Sequence, residues 1–287
     1  MRTVSILTVS LSILTVLFSC VNDQDNGAIK KDLKVMIQVD FEGVTGVVNF
    51  DEIYPGHIHF ERNCSILTKE INAAVEGAFE AGASQVIVRD GHSGNINVDV
   101  SLLDPRAQLT RGRVPGTPHT MVLGIDSSFD ALVFIGAHSG AGMNHSVLAH
   151  TMSLKILDLQ INGEHIFEPA FNALYAGRFG VPPVFISGDN YTCKEAVRVF
   201  GAIDTVVTKY SYGYNCARSK SPEVVYAQIK KGVKSALLNL DKFNIFKLES
   251  PYIMSVRVKD DNELGYKDFA YTSDSLDVVM KKFWEKL

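Results

Sequence analysis

Residues 131–137, ALVFIGA, run seven positions without one polar side chain and are bounded by Asp130 and His138. So short an apolar run reads as a strand buried on both faces, the kind found in parallel sheets covered by helices. Segments 33–39 and 85–89 also read as strands, and further strands are expected at 184–187, 205–209 and 252–258. Between them the period changes. Leu67, Ile71, Ala74, Val75, Ala78 and Phe79 share one face of a helix predicted over 60–81, which Gly82 closes. Helices are also predicted over 168–178, where Pro169 suits a first turn, and over 192–200, 222–240 and 273–287. Asn162-Gly163, between apolar segments 155–161 and 165–167, signals a hairpin. The alternation predicts an α/β fold: a mostly parallel central sheet flanked by helices, with a hairpin insertion and a small C-terminal subdomain at 245–287.

The first 32 residues read differently. An apolar stretch at 4–18 follows a single basic residue, Arg2, and is too short and too rich in Ser and Thr for a membrane span. Leu17-Phe18-Ser19-Cys20 resembles a bacterial lipobox, although Phe18 is bulky for that motif. Residues 1–19 are thus expected to be a lipoprotein-type signal peptide, 20–32 a polar tether, and 33–287 the folded domain. The chain is expected to be exported and held at a membrane only by a lipid on Cys20, facing the periplasm or cell surface; plain secretion to the periplasm is the alternative. Four cysteines without C-x-x-C spacing do not suggest a disulfide framework or a thiolate zinc site, and Cys64, Cys193 and Cys216 are expected to be buried free thiols. The formal net charge of −4 offers no basic footprint for nucleic acid.

Chemistry gathers where strands end. Asp40 and Glu42 follow the first strand, Asp90 and His92 the second, and His138 the run at 131–137. Ligands of open α/β sheets bind beyond the carboxyl ends of the strands, so three such ends would meet in one crevice. Asp40 and Glu42, two apart in extended chain, point to the same side, and two carboxylates that close call for a cation or proton between them. Mixed Asp, Glu and His ligation without cysteine suits catalytic Zn²⁺, or Mn²⁺. Spacing does not choose between His145 and His150. His57, His59, His119 and His165 have no such placement and are expected to be surface or structural. Glu168, read alone, is a helix N-terminal acid favoured by the helix dipole.

Together these residues resemble a known family. Asp40-Phe41-Glu42-Gly43 resembles the D-x-E-G signature of the DppA-type D-aminopeptidases, which are binuclear zinc peptidases. Asp90-Gly91-His92-Ser93 is similar to the family's D-x-H-S loop, Gly136-Ala137-His138 to its third metal loop, and His150-Thr151-Met152 to its H-[ST]-M segment. Glu168-Pro169-Ala170-Phe171-Asn172-Ala173 is similar to its E-x-x-x-N-A segment. Phe60-Glu61-Arg62 and Ser187-Gly188-Asp189 match in order, so the likeness covers the chain from about Lys34 to the C-terminal helix. It departs at Gln38, where the family usually has serine, and at the glycine-rich loop Ser139–Ala149.

The resemblance implies two zinc ions per chain, bridged by Asp40 and completed by Glu42, His92, His138 and Glu168. It implies His150 as the catalytic nucleophile or acid/base, and a homo-oligomer. The expected activity is removal of N-terminal D-amino acids such as D-Ala from short peptides. Alternatives are another zinc-dependent amidase or peptidase on this scaffold, or a non-catalytic binding lipoprotein.

Overall fold

Strand β1 (Leu33–Val39) lies beside the central strand of a seven-stranded sheet in this computed structural model, which describes residues 1, 32–115, 117, 120–260 and 265–285. The leader, Cys20, the tether up to residue 31 and His119 lie outside the described residues. The sheet comprises β1, β2 (Ala83–Asp90), β3 (Gln108–Thr110), β4 (Ala131–Ala137), β7 (Pro183–Asp189), β8 (Asp204–Gly213) and β9 (Cys216–Ser219). Their order is β3-β2-β1-β4-β7-β8-β9, with only β9 antiparallel to its neighbour. The chain leaves β1 toward β2 and β3, then returns to its other side as β4. The order therefore reverses between β1 and β4, where crevices form in such sheets.

Alternate residues of the central strands feed two cores. Val35, Ile37, Val39, Val133 and Ile135 pack against α1 (Phe60–Glu80) and α4 (Pro222–Leu238). Met36, Leu132, Phe134 and Ile186 pack on the other face, against α2 (Glu168–Gly177), α3 (Asn190–Phe200) and α5 (Leu276–Trp284). The hairpin forms as its Asn-Gly signal predicts: Asn162 and Gly163 both have positive φ, 55° and 80°. It joins β5 (Ile156–Ile161) to β6 (Glu164–His165). The hairpin is extended by C-terminal chain, because β10 (Tyr252–Asp260) pairs with β5, and β11 (Gly265–Ser273) pairs with β10. A second, four-stranded antiparallel sheet results.

Two expectations are corrected. The closing helix begins at Leu276 rather than 273, because β11 runs through Ser273. Cys216 is exposed on edge strand β9, whereas Cys64 and Cys193 are buried free thiols as expected; burial pushes both thiols up to about 12.

The ends of β1 and β4 meet with almost no space between them. Asp40 N–H donates to the Ile135 carbonyl at 2.8 Å, and Gly43 N–H to the Gly136 carbonyl at 2.8 Å. A Cβ on Gly43 would lie 2.0 Å from the Ala137 oxygen. One on Gly136, whose φ is +73°, would lie 2.3 Å from the Asp40 oxygen. These two glycines let the loop bearing Asp40 and Glu42 lie directly on the strand that ends in His138.

Candidate metal centre

Five of the six residues singled out from the sequence are nearly inaccessible, and all six converge. Asp40, Glu42, His92, His138 and Glu168 are each under 5% exposed, and His150 is only slightly more open. The Asp40 carboxylate faces two ways: Oδ1 is 3.2 Å from His92 Nδ1, and Oδ2 is 3.4 Å from His138 Nε2. Glu42 Oε1 is 3.2 Å from His92 Nδ1, and Glu168 Oε1 is 3.3 Å from His138 Nε2. His150 stands back, with Nε2 at 3.9 Å from Glu42 and 3.7 Å from Glu168. Its ring stacks on His138, with centroids 4.1 Å apart and planes 8° from parallel.

Three overlapping groups have ligand atoms close enough to share a cation: Asp40-Glu42-His92, Asp40-His138-Glu168 and Glu42-His138-His150. The donor set fits such an ion. His138 Nδ1 lies 2.9 Å from the Ser139 carbonyl, so it carries the proton and Nε2 turns its lone pair into the cluster. That buried Nε2 makes no hydrogen bond. His150 is held alike, Nδ1 lying 2.8 Å from the Leu148 carbonyl. Glu168 begins α2, as read from the sequence, yet its Oε1 accepts from Met152 N–H at 2.6 Å while facing His138. Helix start and cluster member are one residue here. His145 is exposed beside Tyr191, outside the cluster. His57, His59 and His165 are exposed too.

Without a cation, protons do the neutralising. Burial opposes a charged imidazole at His92, but Glu42 and Asp40 outweigh it and push the group up to about 10. His138 is likewise raised against burial by Glu168 and Asp40. Burial would raise Glu42, yet the charges of His92 and His138 hold it well below the carboxylate range. Burial and the neighbouring Glu42 charge raise Asp40. An imidazole must be neutral to ligate, so a cation displaces these protons. Zinc binding to the stripped protein at neutral pH is expected to release protons and to strengthen as pH rises. Calorimetry in buffers of different ionisation enthalpy reads this; a buffer-independent heat would contradict it.

Among the residues that support the cluster, Lys209 escaped the sequence reading, whereas Asp90, Asp189 and Gln38 were named there without these roles. Lys209 on β8 is fully buried, and its Nζ donates to the carbonyls of Glu42, Val44 at 2.9 Å and Val47 at 2.6 Å. All three of its donors thus tie down the turn behind Glu42. Burial lowers its pKa to about 8. Lys209→Met is expected to weaken zinc affinity about 10–100-fold, as loss of outer partners does elsewhere; a competitive chelator titration measures it. The Asp90 carboxylate accepts from Asn97 Nδ2 and Val98 N–H, both at 2.9 Å, which folds the loop bearing His92. Asp189 caps α3 and also accepts from Ser146 Oγ and Val147 N–H, both at 2.7 Å, which anchors the loop leading to His150. Leu148 and Met152, on either side of His150, both have positive φ (53° and 60°), unusual for apolar residues. Hydrogen bonds to Tyr214 and Glu168 hold them there. Gln38 stays buried, and its Nε2 donates to the Val39 carbonyl at 3.0 Å.

The cluster floors a cavity of about 940 Å³ whose walls include Tyr54, Arg113, Met152, Leu154 and Trp284. A buried constellation of carboxylates and imidazoles at the switch point of a parallel sheet, open to such a cavity, defines a metallohydrolase type of site. The sequence profile of the D-aminopeptidase family matches residues 33–270, and the chain belongs to that family. It is 31% identical over 210 residues to the D-aminopeptidase of Bacillus subtilis (strain 168), covering 73% of this chain and 76% of that protein. The fold is similar to that of the solved Zn-dependent D-aminopeptidase DppA from Bacillus subtilis, a self-compartmentalizing protease. The TM-score is 0.81 at 25% identity, over 89% of this chain and 99% of the other. By family the protein is an aminopeptidase, a hydrolase of the amino-terminal peptide bond.

Proposed function

We propose that the protein removes N-terminal D-amino acids, such as D-Ala, from short peptides, using two zinc ions per chain. The observation that carries this is the double-facing Asp40, each oxygen aimed at a different histidine within overlapping ligand groups. Zinc is favoured by the donor set and by the zinc dependence of the similar Bacillus subtilis enzyme. Asp40 would bridge, Glu42 and His92 would hold one ion, and His138 and Glu168 the other. When bound, zinc supplies Lewis-acid polarisation of the scissile carbonyl and makes water at the site more acidic.

The chain's own residues do the rest. His150, its tautomer set by the Leu148 carbonyl, presents Nε2 to the cavity and takes the proton from attacking water. The same Nε2 returns it to the leaving amine. Tyr54 and Met152 line the cavity beside this centre. The chain is proposed to form a homo-oligomer, as the self-compartmentalizing relative does.

The test is turnover of D-Ala-D-Ala against L-Ala-L-Ala by the zinc-loaded protein. Preferential release of D-Ala, abolished by chelation, is expected; faster cleavage of the L pair would move the activity to another peptidase.

The leader read from the sequence supports a location outside the cytoplasm, with the chain held at a membrane by a lipid on Cys20. No described helix is long and apolar enough to cross a membrane. Cys20→Ser is expected to move the chain from the membrane fraction to the soluble fraction; unchanged fractionation would contradict lipidation.

A further inference from the structure

The cavity above the cluster is electrically polar. Its lining includes the three buried carboxylates of Asp40, Glu42 and Glu168 and also the cations Arg113, Lys155 and Lys281. Among the described residues Glu285 is the one acid lining the cavity outside the cluster, and it is engaged by Lys282 at 2.6 Å. Arg113 differs from an ordinary surface arginine in two respects. Its Nε donates to the Ser93 carbonyl at 2.9 Å, as does one of its terminal nitrogens, so the guanidinium is fixed beside the residue that follows His92. Yet it makes no ion pair with any described carboxylate. A guanidinium offers five N–H donors, and the Ser93 carbonyl uses only two. The remaining donors belong to a side chain that lines the cavity, and a guanidinium presents such donors as a planar fork suited to a carboxylate.

A short peptide has the matching polarity: an amine at one end and a carboxylate at the other, about 3.3–3.6 Å of chain per residue apart. We infer that Arg113 binds the C-terminal α-carboxylate of the substrate, so that the site selects short peptides by their free carboxyl end. This rests on the peptidase reading above and adds to it a determinant of substrate length. Lys281, which also lines the cavity, is the alternative cation there.

The experiment compares D-alanyl-D-alanine with D-alanyl-D-alaninamide, which lacks only the terminal charge. In the wild type the amide is expected to show a KM about tenfold or more above that of the acid, the scale of a charge-assisted contact at a partly exposed site. Arg113→Gln is expected to raise KM for the acid to that of the amide, leave the amide unchanged and leave kcat within about twofold. Arg113→Lys should restore part of the difference, and Lys281→Gln should leave it intact. A wild type indifferent to amidation, or an Arg113→Gln variant that affects both substrates equally, would overturn the inference; loss of the difference in Lys281→Gln instead would overturn the assignment to Arg113. The L-Ala-L-Ala acid and amide pair is run in parallel, so a failure of the D-preference leaves the acid-to-amide ratio readable. If neither pair is cleaved, calorimetric binding of the two dipeptide acids and amides to the same proteins gives the same comparison. Equal affinity for acid and amide would then reject the role of Arg113.

Discussion

Asp40→Asn is expected to give a folded protein that binds zinc poorly and has lost kcat/KM by about three orders of magnitude or more. The carboxylate belongs to two of the three ligand groups, one oxygen to each histidine, so its loss undoes both at once. Metal stabilisation of transition-state charge is worth several kcal/mol, and about 1.4 kcal/mol corresponds to each tenfold in rate. The substitution keeps the side-chain shape, and Phe41 N–H can still donate to Oδ1, as it now does at 2.9 Å. Zinc content, circular dichroism and turnover on one sample separate the possibilities. Wild-type zinc and turnover in this variant would remove Asp40 from the centre.

The second large effect concerns His150. His150→Ala is expected to lower kcat by about 10²–10⁴-fold, the range for a positioned acid/base group, with zinc content unchanged. The geometry behind this is the set-back of its Nε2, at 3.7 Å and 3.9 Å from the nearest carboxylates against 3.2–3.4 Å for His92 and His138. It is also the most accessible of the six side chains. A variant that loses zinc in step with activity would make His150 a ligand rather than a proton carrier. One that retains near-normal turnover would exclude it from the chemistry.

How much of this was legible in the sequence depends on where each residue's partners lie along the chain. The buried strands were readable because parallel strands covered on both faces need uninterrupted apolar runs, as ALVFIGA in β4 illustrates. Strand β11 was not, because it is a sheet edge whose residues, Lys267 and Asp268 among them, are largely exposed and carry no apolar pattern. Strand β3 has three residues, too few for any period. At the site, Asp40, Glu42, His92 and His138 were visible because strand ends are local features that a parallel sheet brings together. Glu168 and His150 came only through family resemblance. They arrive by way of a hairpin and a loop held in left-handed turns, and no spacing rule encodes their meeting. Lys209 stayed hidden for a different reason. A lysine inside a strand normally implies solvent, and only the folded chain reveals three carbonyls waiting for it.

The buried carboxylate–imidazole cluster is proposed to hold two zinc ions on which hydrolysis depends. The direct measurement is a titration of the stripped protein with zinc, following bound metal and release of D-Ala from D-Ala-D-Ala together. Binding is expected to saturate near two equivalents per chain, with activity appearing as the site fills. Full activity in the stripped protein, or saturation at two equivalents without hydrolysis of any dipeptide, would contradict it.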